Sequence, residues 1–211
     1  MTKKKEPRGN KHKRRTKDKL RVRGSLYVAI PFLALVFLIG GGWLFIRNRK
    51  ASPVTPAEIE AEIIPSEGEQ TPYGIALSIE NTPMFIEYHH TASLTSQQEA
   101  IIRDALLPLK APCCDDNSMA TCCCPCNLAK SVWGLSSSLI VEKDYDAAQV
   151  REAALQWLRF IFSDYYVIQE LRNRDVDPGT YGLSYEDSCY AGLCELPFVE
   201  GGCGGMERLR L

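Results

Sequence analysis

The sequence predicts a single transmembrane helix followed by a small, mostly α (α+β) cysteine-rich domain with an N-terminal β-hairpin. Three features predict it: an uncharged apolar run over residues 26–46, helical spacing of apolar side chains beyond residue 95, and nine cysteines, six of them between Cys113 and Cys126.

The run from Leu26 to Ile46, LYVAIPFLALVFLIGGGWLFI, holds twenty-one residues without a charge. As a helix rising about 1.5 Å per residue it reaches roughly 30 Å, the thickness of a bilayer core. Residues 1–25 carry twelve Lys/Arg, whereas Arg47, Arg49 and Lys50 follow the run. The positive-inside rule therefore places the N-terminus in the cytoplasm and the C-terminal domain outside a cell membrane that the chain crosses once. Membrane lipid is the expected partner of residues 26–46. A cleaved signal peptide competes, since Gly40-Gly41-Gly42 offers small residues after a basic and an apolar stretch. The apolar run continues through Trp43-Leu44-Phe45-Ile46, which favours the anchor. The expected organisation is a basic tail (1–25), the span (26–46), an acidic linker punctuated by Pro53, Pro56, Pro65 and Pro72 (47–72), and a domain over 73–211.

Charge divides the chain. Residues 1–50 hold fifteen Lys/Arg against Glu6 and Asp18, a balance of +13, and residues 51–211 hold ten against twenty-four Asp/Glu, a balance of −14. The acidic part excludes nucleic acid as its partner. The Lys/Arg-rich run beside the span sets topology and lies against anionic lipid.

Within the domain, Tyr73–Glu80 and Met84–His90 read as two strands joined at Asn81-Thr82-Pro83. Thr95 and Ser96 then offer N-caps with Gln98 and Glu99 three residues on, Ile101, Ile102, Ala105 and Leu106 form one face, and Pro108 stops the helix. A second helix starts near Asn127, with Leu128, Val132, Leu135 and Leu139 at helical spacing. A third, about Ala147–Phe162, buries Val150, Ala154, Trp157, Leu158 and Ile161, and a shorter one follows through Tyr165–Arg174. Trp133 and Trp157 are expected in the core.

The cysteines carry the functional signal. Cys113-Cys114 and Cys122-Cys123-Cys124-Pro125-Cys126 occupy the connection between two helices. Neighbouring Cα atoms about 3.8 Å apart lie below the usual disulfide range, so adjacent cysteines need partners from elsewhere. Candidates are Cys189, Cys194 and Cys203, a soft metal, or an outside thiol. The first reading makes all nine cysteines candidate ligands of copper or zinc, as a carrier or a structural site, because thiolates favour soft ions. Amides at the start of the second helix favour thiolate at Cys123, Cys124 or Cys126. Met119, Met206 and one of His89 and His90 are further donors, and a metal-delivery or membrane protein is the partner this reading implies. The second reading is a disulfide-stapled interaction domain, in which nine cysteines leave at least one unpaired. The third is a thiol–disulfide oxidoreductase at the C-x-x-C of Cys123 and Cys126, although no βαβ pattern surrounds it. No other catalytic constellation is specified.

The run Thr121-Cys122-Cys123-Cys124-Pro125-Cys126 between helices resembles the bacterial extracytoplasmic proteins named for a PCYCGC motif. The resemblance covers about residues 108–165 and lacks the Tyr and Gly inside the motif. It implies metal or redox involvement, with a ligand role for Cys124 and Cys126.

Overall fold

The computed structural model describes residues 54–184 and 193–211. Six helices run in the order α1 (Pro56–Ile63), α2 (Thr82–Thr91), α3 (Ser96–Leu106), α4 (Asn127–Lys143), α5 (Ala147–Ile161) and α6 (Ser163–Asn173), and a two-stranded antiparallel sheet, β1 (Lys110–Ala111) with β2 (Cys114–Ser118), lies between α3 and α4.

Local sequence fixes the helix starts. Thr95 caps α3 through a capping box with Gln98, Asp146 does the same for α5 with Gln149, and Thr55 caps α1 with Glu58. In each, the cap oxygen accepts an amide that the helix itself leaves unpaired, and the third residue reaches back to the cap amide. Leu107 closes α3 just before Pro108, and Asp144 in the left-handed region closes α4.

α4 is the central element. Leu128, Ala129, Val132, Leu135, Leu139 and Ile140 are all buried, and so are Ser131, Ser136, Ser137 and Ser138. Each of these hydroxyls donates to a carbonyl three or four residues back, at 2.7 to 2.8 Å, so small polar residues enter the core with their donors satisfied. Their small volume lets neighbours approach on several sides. At Gly134 the approach is closest: a Cβ there would stand 1.7 Å from the Phe85 carbonyl oxygen on α2. On α5, Trp157 buries its ring edge-on to Phe85, centroids 5.0 Å apart, and donates its indole N–H to the Ser131 hydroxyl at 3.1 Å. Burial of one such side chain stabilises by about 1.5–3 kcal/mol.

A smaller cluster joins Ile59 of α1 to Val167 and Leu171 of α6. Arg174 spans the same two helices, 2.8 Å from Glu62 and 2.7 Å from Glu170. Residues 54–63, within the stretch that composition reads as linker, thus pack on the domain.

The fold class needs correcting. The expected N-terminal hairpin does not form: Met84–His90 belongs to α2, and Tyr73–Glu80 is irregular apart from a bridge between Gln70 and Ala76 and a 3₁₀ turn at Ile79–Asn81. Pro83 suits the first turn of a helix. Thr82, Phe85 and His89 recur at helical spacing, and the first two are buried while His89 meets Trp133. Packing against α4 overrides the β propensity of Phe, Ile and Tyr.

The single-pass localisation is corrected as well. Among the described residues no helix is long and apolar enough to cross a membrane. The expected span, residues 26–46, lies outside the described residues. What the structure describes is an α-rich domain with a two-stranded sheet, and none of its described helices crosses a membrane.

Candidate metal centre

Three remote segments bring thiols together. Cys113 sits in the turn between β1 and β2, where Ala111 pairs with Cys114 and Pro112 and Cys113 form the connection. Cys126 is the N-cap residue of α4. Cys203 lies in the C-terminal tail, after a 3₁₀ turn at Phe198–Glu200. The Sγ atoms of Cys113, Cys126 and Cys203 all lie within 4.8 Å of one another, and each residue is at most 1% exposed. This buried group can hold a metal ion.

The tail reaches α4 by backbone bonds. Asn127 and Leu128 have amides that the helix cannot satisfy internally. They donate to the carbonyls of Gly205 at 2.8 Å and Cys203 at 3.1 Å. The Asn127 side chain donates to the Gly204 carbonyl at 2.6 Å, and Lys130 donates to that of Met206. The tail folds back on itself as well, with Gly204 donating to Leu196 at 3.0 Å and Gly205 to Cys194 at 2.9 Å. Glycine is needed for this closeness: at Gly204, with φ of +72°, a Cβ would stand 2.6 Å from the Phe198 ring.

Cys122 is the fourth sulfur. Half-buried in the loop before α4, its thiol interacts with Cys113 and Cys126. The four share charge unequally. Cys126 is driven far toward thiolate because Cys113, Cys122 and Cys203 direct their S–H groups at it, with the Ala129 amide adding to the effect against burial. Cys113 is driven the other way, held as a thiol by its contacts with Cys122, Cys126 and Cys203 and by burial. Cys122 is pushed up to about 12: contact with Cys113 favours its thiolate, but contact with Cys126 and burial outweigh that. Cys203 is also raised, since its contact with Cys126 and burial exceed the opposing pull of Cys113.

The remaining cysteines divide. Cys114, Cys123 and Cys124 form a string of sulfurs, Cys114 to Cys123 at 3.8 Å and Cys123 to Cys124 at 3.6 Å, with Cys123 exposed. Cys194 is buried near Cys203, whose thiolate it disfavours electrostatically, and Cys189 lies outside the described residues. No disulfide is formed among the described cysteines. The C-x-x-C of the oxidoreductase reading is split between the two groups, Cys126 facing the buried set and Cys123 the string.

The other sequence candidates lie elsewhere. His89 and His90 stand on α2, not on a strand, and their ring contacts are with each other at 5.1 Å and between His89 and Trp133 at 5.2 Å. Burial first, then the charges of His90 and Lys130, hold His89 below the ordinary imidazole range. Met119 is buried and its carbonyl accepts the Trp133 indole N–H at 2.8 Å, while Met206 is exposed. Sequence reasoning did not single out Asn117, which donates to the Cys114 sulfur at 3.1 Å. The glycines around Cys203 were the available signal that the tail packs tightly against something. No family model, curated protein or solved structure matches the chain.

Proposed function

We propose that Cys113, Cys122, Cys126 and Cys203 bind one zinc ion and that the ion locks the C-terminal tail onto the start of α4. The reading is carried by three buried thiols from segments far apart in sequence, all within 4.8 Å of one another. Four thiolates at about 2.3 Å from a tetrahedral zinc stand roughly 3.8 Å apart, within that limit. A closed, all-sulfur shell suits a structural site, since a catalytic zinc keeps a position for water. Burial favours the same role, because an ion held there exchanges slowly with solvent.

Binding releases protons from the three raised thiols, and the resulting negative charge is neutralised by the ion.

Elemental analysis of the purified chain tests the proposal. One equivalent of zinc, lost on Cys203→Ser and on Cys126→Ser, is expected. A chain that carries no zinc after exposure to it, or retains it in both variants, overturns the reading, and one equivalent of copper in its place reassigns the ion.

A further inference from the structure

The second sulfur group has a different character from the first. Cys114 ends the hairpin turn and is buried, whereas Cys123 is exposed and Cys124 half-buried on the loop that precedes α4. The loop divides its sulfurs: Cys122 turns toward the buried set, whereas Cys123 turns to Cys114 and lies beside Cys124. Two sulfurs sharing one ion at about 2.3 Å each can be at most roughly 4.6 Å apart. The 3.8 Å between Cys114 and Cys123 and the 3.6 Å between Cys123 and Cys124 both fall inside that limit.

A second feature points to a ligand. The side-chain amide of Asn117 donates to the Cys114 sulfur at 3.1 Å. Such N–H groups orient a thiolate and stabilise its charge, the role that outer-shell donors play at metal centres. Asp116, exposed on β2, adds negative charge on the same short strand, which favours a cation over an anion.

We infer that Cys114 and Cys123, with Cys124 in reach of the Cys123 sulfur, form a second, solvent-accessible site that takes an exchangeable soft monovalent ion of the copper(I) type. Two thiols give up their protons to the solvent and form two metal–sulfur bonds, so the ion stays monovalent and no electron is transferred. Thiolate pairs select such soft ions over magnesium or calcium. The site adds to the buried zinc and uses different sulfurs, so it stands or falls separately. Its exposure makes it the place where an ion is acquired from, or passed to, a small-molecule or protein thiol.

The test is a titration of the full-length, zinc-loaded chain with copper(I) in anaerobic buffer against a competing copper(I) chelator, counting both bound copper and released zinc. One additional equivalent of copper with zinc retained is expected. Cys123→Ser should weaken that equivalent by about tenfold or more and Asn117→Ala by about tenfold, both keeping the zinc. Cys126→Ser should lose the zinc and keep copper binding that still depends on Cys123. Copper that only displaces zinc, or binds Cys123→Ser as tightly as the original chain, overturns the inference. Absence of zinc with Cys123-dependent copper binding overturns the buried site alone and upholds this one.

Discussion

Leu128, in the first turn of α4, donates its backbone amide to the carbonyl of Cys203 at 3.1 Å. The bond joins the most buried helix to the end of the chain, and it sits two residues from Cys126, whose sulfur meets that of Cys203. Helix capping and sulfur convergence are therefore one structural event: whatever loosens the tail also opens the thiol group.

Gly204→Ala tests this coupling. The added Cβ meets the Phe198 ring at 2.6 Å, and φ of +72° is strained for alanine. The substitution should destabilise the domain by about 1–3 kcal/mol. It should also speed zinc loss to a chelator, measured as the rate of zinc release at constant chelator concentration. An unchanged release rate would separate the tail from the metal centre.

If the buried thiols hold zinc as proposed, its removal should lower the thermal midpoint by roughly 10 °C, the shift expected when several kcal/mol of binding free energy contribute to folding. Calorimetry before and after chelation gives the value. Restoring zinc should restore the midpoint.

The α2 and α4 crossing makes a sharper prediction at a single residue. Gly134→Ala places a carbon 1.7 Å from a backbone oxygen that cannot rotate away, so the helices must separate. A loss of about 1–3 kcal/mol is expected from urea unfolding. Gly68→Ala serves as the control for backbone strain without a clash, because φ there is +79° and nothing lies within 4 Å.

Two caps should contribute independently. Thr95→Ala and Asp146→Ala each remove an oxygen that accepts an amide at a helix start, at 3.3 Å in α3 and 2.9 Å in α5. Each should cost about 1 kcal/mol, and the double variant about the sum. Denaturant midpoints at constant slope would show it.

Stability should fall in alkali through Tyr73. Burial pushes its hydroxyl up to about 12, opposed in part by Thr71 and helped by Tyr145. An unfolded tyrosine ionises near pH 10, so between about pH 10 and 12 the unfolded chain has fewer protons bound than the folded one. The contribution is fully present below about pH 10 and is lost as pH rises toward 12. Tyr73→Phe should flatten part of that decline in urea midpoints collected across the range.

Of the fold, what one helix's worth of residues contains was legible. Thr95 with Gln98, the Val150 to Ile161 face and the Leu128 to Leu139 spacing each specify a helix through bonds and burial that repeat every three or four residues. Met84–His90 was misread because its alternating apolar residues fit a strand as well as a helix, and the deciding contact, Gly134 beneath Phe85, lies some fifty residues away.

The sequence alone determined that these sulfurs pair poorly with their immediate neighbours, and that a soft ion was among the solutions, because adjacent Cα atoms lie below the usual disulfide range. Tertiary structure alone decided which sulfurs meet. Cys126 turns inward to Cys113 and Cys203, while Cys123 turns outward to Cys114 and Cys124. That division depends on where the β1–β2 turn and the glycine-bounded tail dock on α4, and docking is set by packing between distant segments, which no local spacing records.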